Sequence, residues 1–433
     1  LSIRRQRQMC IRDRAYWTDG SQVTAPHDRN IIAEVEKITS IDQILTGANP
    51  GNITLLGEEF DEIYLNKVHT LSLSPESVGK FHDMKIAYTP LHGAGVRLVP
   101  ASLRKWGFTN VSLVEEQAVI DGNFPTVESP NPEERKTMAK AIELGSRLGA
   151  DLVLATDPDS DRIGVALRNA KGEYVLLNGN QTLSLIMAYQ LTRWSELGRL
   201  DGKEFVVKTI VTSQMPNVMA AHFGVKCYDC LTGFKYIARI IRNNEGKATY
   251  IGGGEESFGY LAGDFVRDKD AVSACSLVAE AAAWTRDTMG LTLYEWLQKL
   301  YVEFGFFREG LVSVVRKGME GAAEIQRMMV DYRADPPREI AGSPVVKIND
   351  FKLLESTDVR TGAKTPIEEE ASNVLQWFAA DGTVVSVRPS GTEPKIKFYF
   401  GVRAELESVA DFDRVEAGLD AKIETIKKEL KLV

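Results

Sequence analysis

Cysteine is scarce in this chain. Four thiols in 433 residues, Cys10, Cys227, Cys230 and Cys275, are too few to staple a disulfide scaffold, and no signal-peptide pattern precedes them. A reducing, cytoplasmic setting is the expectation. Cys227-Tyr-Asp-Cys230 has redox or zinc-knuckle spacing, but it lacks a second pair of ligands and reads as two structural thiols. Long apolar runs are missing too: stretches such as 151–156 and 183–189 fall far short of the roughly 20 residues that cross a bilayer, so a soluble protein without membrane contact is expected. Nor is there a basic excess. Lys and Arg number 52 against 60 Asp and Glu, a formal charge of −8 with a pI near 5.5. Nucleic-acid affinity comes from clustered Lys and Arg, so this balance argues against a nucleic-acid partner, and any anionic ligand must be held locally. No Walker A sequence and no complete GxGxxG occurs, since Gly93-Ala-Gly95 lacks the third glycine. Coiled-coil heptads and solenoid-period repeats are absent, and the oligomeric state stays open.

What remains is an ordinary globular composition, 44% apolar and 26% charged, with length for two to four domains at roughly 100–200 residues each. Residues 1–14 hold five arginines and no apolar periodicity, and read as a non-native or disordered tail. Over 15–58, Trp17, Asp19 and Gly20 read as a strand end with a turn, and 31–38 has helical spacing, as in the remnant of a domain that has lost its beginning. A second domain, 59–177, opens on a helix near Phe60 and continues with a strand at 85–88, a helix at 98–106, a strand at 111–114, a helix at 133–148 and the apolar strand 151–156. That last strand reads as central and parallel, covered on both faces. A third domain, 178–304, repeats the style with helices at 181–194, 215–223 and 272–289 and strands at 204–211 and 247–251. A fourth, 305–433, has strands at 311–315, 345–351, 384–387 and 396–400 and a helix at 408–428, an α+β order. The expected fold class is α/β, consecutive mixed α/β domains with a C-terminal α+β domain.

Three loops carry chemistry. In Asp157-Pro-Asp159-Ser-Asp161-Arg162, directly after the apolar strand, three carboxylates at i, i+2 and i+4 can converge on one hard cation such as Mg²⁺. An EF-hand fails, because Arg162 and Arg168 stand where Gly and Glu are required. A phosphatase with Asp157 as nucleophile and a merely solvated acidic turn are the other readings. The second loop, Gly252 to Tyr260, places Glu255 and Ser257 where a carboxylate and a hydroxyl can hold neighbouring sugar hydroxyls. Arg267, Lys269 and Thr232-Gly-Phe-Lys235 add cations near it in sequence, with surface salt bridges as the plain alternative. In the third, Arg388-Pro-Ser390-Gly391-Thr392, a glycine-freed backbone, two hydroxyls and a guanidinium suit a phosphate, or else form an ordinary hairpin turn.

In this order, with Thr89-Pro-Leu-His-Gly-Ala-Gly95 ahead of them, the loops resemble the α-D-phosphohexomutase family, its phosphoglucomutase/phosphomannomutase group, over 15–433. The resemblance implies four domains around one cleft. Asp157, Asp159 and Asp161 would hold Mg²⁺; Glu255 and Ser257 would grip sugar hydroxyls, with Thr232, Gly233 and Lys235 also binding substrate. Arg388, Ser390, Gly391 and Thr392 would bind the phosphate that is not transferred, and Lys269, Arg267 and Arg162 would move a proton and neutralise charge. The implied reaction interconverts hexose 1-phosphate and hexose 6-phosphate through a hexose 1,6-bisphosphate and an enzyme phosphoserine. Its substrate is a small phosphosugar, glucose inclined over mannose by the double-Glu form with Phe258; pentose or glucosamine phosphate stays open. That family places its phosphoserine in a Ser-His loop shortly before the segment matching 15–22, where this chain has the arginine-rich tail; Ser2 and Ser21 do not stand in the motif. An inactive mutase fragment is therefore expected, with a non-catalytic phosphosugar-binding protein as the alternative.

Overall fold

A computed structural model describes residues 15–44, 47, 51, 53–316, 318–390 and 394–432. The segment read as a tail, with Cys10, lies outside these residues. The described residues form two compact units, those within 1–208, 223–228 and 233–294, and those within 209–222, 229–232 and 295–433.

The first unit is built on two sheets. One has the order β2–β1–β3–β4–β5, from β1 (Ile86–Thr89), β2 (Val111–Leu113), β3 (Leu152–Thr156), β4 (Ile163–Arg168) and β5 (Tyr174–Leu176). As the unbroken apolar run demands, every residue of β3 is buried. It lies parallel to β1 on one side, but β4 returns antiparallel on the other. The carboxylate loop is thus the tip of a hairpin in a mixed sheet, not a βαβ turn. The reversal is local: Ser160 takes a left-handed φ of 57°, which tightens the loop.

The other sheet has the order β7–β6–β8–β9, from β6 (Glu204–Thr209), β7 (Lys226–Cys230), β8 (Thr249–Gly254) and β9 (Tyr260–Ala262). It repeats the same device, β8 parallel to β6 and followed by antiparallel β9. Strand β8 runs three residues past the expected 247–251 and takes in Gly252, Gly253 and Gly254. Glycine is a poor strand former, yet here a Cβ on Gly253 would overlap the Val207 carbonyl of β6, so close backbone approach requires it.

The long helix Ala271–Met289 packs on this unit. Asp270 caps it, its Oδ1 accepting from the backbone N–H of Val272 at 3.0 Å and of Ser273 at 3.4 Å, and Gly290 ends it at φ 66°.

The second unit carries one large antiparallel sheet, β10–β17–β16–β15–β12–β13–β14, with β11 paired to β12. Its strands are β10 (Phe306–Val315), β11 (Glu339–Ile340), β12 (Ser343–Asp350), β13 (Glu355–Asp358), β14 (Lys364–Pro366), β15 (Leu375–Ala379), β16 (Val384–Pro389) and β17 (Lys395–Ala404). The expected hairpin at 384–387 and 396–400 is β16 with β17. The core gathers around Trp377 and Phe398, both fully buried, with the Tyr332 ring edge-on at 5.2 and 6.0 Å. The closing helix is Phe412–Glu429. Among the described residues no helix is long and apolar enough to cross a membrane.

Candidate active site

The β3–β4 tip organises itself through its first carboxylate. Asp157 Oδ1 accepts from the backbone N–H of Asp161 and of Arg162, each at 3.0 Å, so the chain wraps around that side chain. The wrapping brings Asp159 and Asp161 alongside, and ligand oxygens of all three carboxylates lie within 4.8 Å of one another. Asp157 and Asp161 are buried while Asp159 is exposed, an arrangement with one open side. Burial, then the charges of Asp161 and Asp159, push the Asp157 carboxyl well above the usual carboxylate range.

A second loop fixes this one from below. The N–H of Ala94 donates to the Pro158 carbonyl at 2.9 Å, and a Cβ on Gly93 would overlap the Pro158 backbone. The turn 89–95 therefore supports the carboxylate loop rather than contributing a polar side chain to it. His92, buried within the same turn, is tied to the Val119 carbonyl and Thr126 Oγ1 at 2.9 and 2.8 Å.

Two cations face the carboxylates. Lys269 Nζ donates to Asp161 Oδ2 at 2.6 Å. Arg162 Nε stands 3.7 Å from both Asp157 and Asp161, and its Nη1 reaches Glu133 at 3.4 Å. The third expected cation is placed otherwise: Arg267 pairs with Glu245 at 3.3 Å and Asp19 at 3.7 Å. Those bonds fasten the loop before Lys269 to the segment around Asp19, a bracing role that sequence distance could not reveal.

The β8–β9 loop meets the same place. The N–H of Ile163 donates to the Phe258 carbonyl at 3.0 Å, and that of Ala271 donates to the Ser160 carbonyl at 3.1 Å. Glu255 is buried, and its Oε1 accepts from the Gly233 N–H at 2.8 Å. Burial, reinforced by Glu256, pushes its carboxyl up to about 7 against the pull of Lys269, the Gly233 N–H and Arg162. Ser257 is half-buried beside it. Lys235, in the helix Phe234–Asn244 that follows Gly233, lies over the Tyr236 ring at 5.1 Å.

Arg388 and Ser390 belong to the second unit. They lie at the β16–β17 turn, where the Ser390 N–H donates to the Lys395 carbonyl at 2.8 Å. Gly391 and Thr392 fall outside the described residues. Thr232 also sits in the second unit, one residue before the chain returns to the first.

Near Lys269, the capping role of Asp270 and the presence of Tyr64 escaped the sequence reading. Asp270 accepts from the Tyr64 hydroxyl at 2.8 Å while capping its helix. An Asp directly before an apolar helix is a capping signal and could have been found; nothing local marks Tyr64.

Family models for phosphoglucomutase/phosphomannomutase match three stretches: α/β/α domain II at residues 62–172, α/β/α domain III at 178–304 and the C-terminal domain at 346–419. The chain belongs to the phosphoglucomutase/phosphomannomutase family. Its similarity to the phosphoglucomutase of Staphylococcus aureus strain MRSA252 is 32% identity over 414 residues, spanning 95% of this chain and 72% of that protein. The phosphoglucomutase of strain N315 is 33% identical over the same extent. Among solved structures, the open form of parafusin, a phosphoglucomutase from Paramecium, shares the fold with a TM-score of 0.56 at 15% identity, over 91% of this chain and 68% of that one.

For this phosphoglucomutase/phosphomannomutase family member, Glu255 sets a pH dependence of stability. Burial pushes its carboxyl up to about 7 from an ordinary value of 4.5, so the fold favours the protonated form. That contribution is fully present below the unfolded pKa and is lost as pH rises toward 7, about 3 kcal/mol in all. Urea denaturation of the wild type and Glu255→Gln from pH 5 to 8 should show the loss in the first and not in the second.

Proposed function

We propose that this chain carries the site of a phosphohexomutase that interconverts hexose 1-phosphate and hexose 6-phosphate, with glucose preferred over mannose. The observation that carries the reading is the convergence of the 157–162, 254–259 and 267–270 loops, tied by the Lys269–Asp161 ion pair and the Ile163 and Ala271 backbone bonds. Asp157, Asp159 and Asp161 would hold Mg²⁺. The fit rests on three clustered oxygen donors, one of them buried and lifted by its neighbours' charge, a state that a divalent cation relieves. Such a cation supplies charge to offset that of a phosphoryl group.

The chain's own residues do the rest. Glu255 and Ser257 take sugar hydroxyls, with Thr232, Gly233 and Lys235 completing the substrate contacts. In the second unit, Arg388, Ser390, Gly391 and Thr392 would bind a phosphate. Lys269 moves a proton at the reacting hydroxyl and Arg162 balances the carboxylates; Arg267 braces the loop that presents Lys269. The low cysteine count suits a reducing cytoplasm.

The reaction needs a phosphoserine that gives its phosphoryl group to the hexose phosphate, making a hexose 1,6-bisphosphate, and recovers one from the other end of that intermediate. No Ser-His pair occurs in the 433 residues, so this chain by itself binds phosphosugars without completing the cycle. A coupled assay with glucose 1-phosphate, a trace of glucose 1,6-bisphosphate and Mg²⁺ should detect no sustained glucose 6-phosphate. Steady formation would overturn the claim of a missing donor.

A further inference from the structure

The ion pair that joins the loops also sets two positive charges against each other. Lys269 Nζ occupies Asp161 Oδ2 at 2.6 Å, and both side chains are less than a tenth exposed, at 9% and 8%. We propose that Lys269 and the divalent cation compete for Asp161, so that cation binding drives the ammonium off this carboxylate toward the substrate's phosphoryl oxygens. The inference rests on the proposed cation site and adds a coupling within it.

Three observations support it. The stem of Lys269 is clamped: a Cβ on Gly259 would overlap its Cδ, and its head lies over the Phe234 ring at 5.9 Å. The backbone on either side is fixed, with the Lys269 N–H on Asp268 Oδ1 at 2.8 Å, the Asp270 N–H on the Tyr260 carbonyl at 2.8 Å and the Ala271 N–H on the Ser160 carbonyl at 3.1 Å. Only the ammonium end is left to move, and a second carboxylate, Asp268 Oδ1, stands 3.9 Å from it. Arg162 does not compete in this way, because its Nε stays 3.7 Å from the nearest oxygens and its Nη1 leans on Glu133.

Like charges drawn to one carboxylate in a poorly hydrated pocket repel strongly. Lys269 must therefore weaken cation binding in the free protein, and by linkage the cation weakens the hold on Lys269. A phosphate placed between the two charges reverses the sign, since it attracts both.

Mn²⁺ binding to the full chain, followed by electron paramagnetic resonance without substrate, tests this. Lys269→Met and Lys269→Gln should bind Mn²⁺ roughly 10-fold tighter than the wild type, within the usual range of coupling, and Lys269→Arg should stay near the wild type. Glucose 1,6-bisphosphate should then tighten Mn²⁺ binding in the wild type more than in Lys269→Met. Equal or weaker Mn²⁺ binding by both neutral variants, with folding verified by circular dichroism, overturns the competition and leaves the cation site standing. Absence of Mn²⁺ binding in every variant overturns the cation site and this inference together.

Discussion

Replacing Glu280 with alanine is expected to destabilise the first unit by about 4 kcal/mol. Glu280 lies fully buried in the middle of the helix Ala271–Met289. Its carboxyl accepts from the Ser72 hydroxyl, the Leu73 N–H at 2.9 Å, the Ser74 N–H at 3.0 Å and the Tyr189 hydroxyl at 2.8 Å. Truncation leaves these donors in a cavity that water fills poorly, and each unsatisfied buried donor costs about 1–3 kcal/mol. The bonds pin the entry to the helix Pro75–Lys80 onto the helix that begins directly after Asp270. Urea denaturation of the full chain measures the loss; a shift below about 1 kcal/mol would show that the four donors find other partners.

The second large effect concerns the cation. Adding Mg²⁺ at about 100 times its dissociation constant should stabilise the wild-type chain by about 2.7 kcal/mol, because the folded form binds it and the unfolded form does not. The double variant Asp157→Asn/Asp161→Asn should lose that response. Two of three oxygen anions become neutral, and the amide nitrogens of the new side chains ligate poorly. Thermal melts with Mg²⁺ and with a chelator decide the matter. A variant that still melts higher in Mg²⁺ would place the cation elsewhere.

The elements that sequence made legible share a feature, a local pattern strong enough to stand alone. The fully buried run of β3 followed by three spaced carboxylates is one case, and the apolar helix after Asp270 is another. Other elements were hidden because their reasons are tertiary. Strand β8 includes three glycines that strand propensity rejects, and it needs them because β6 passes close by. The helix Phe234–Asn244 starts from a glycine at φ 123° without a side-chain cap, so no start signal marks it. Strand β15 and the helix Gly318–Ala334 were likewise missed, one only five residues long and the other without a marked apolar stripe.

The same division runs through the site. Residue types and spacing were enough to select Asp157, Asp159 and Asp161, while Glu255 and Lys269 took their roles from the family resemblance; the fold brings all five together. They could not show that Arg267 turns to Asp19 and Glu245, because those partners lie 248 and 22 residues away along the chain. Nor could they show that Glu255 is buried beside Glu256, which pushes its carboxyl up to about 7 even though the Gly233 N–H donates to it.

Calorimetric titration of glucose 1,6-bisphosphate into the 433-residue chain, with Mg²⁺ and with a chelator, tests the phosphosugar site most directly. Saturable binding that weakens at least about 10-fold when the metal is withheld is the expected result. No saturable heat under either condition, from protein shown to be folded, would contradict the assignment of these loops to a phosphohexomutase site.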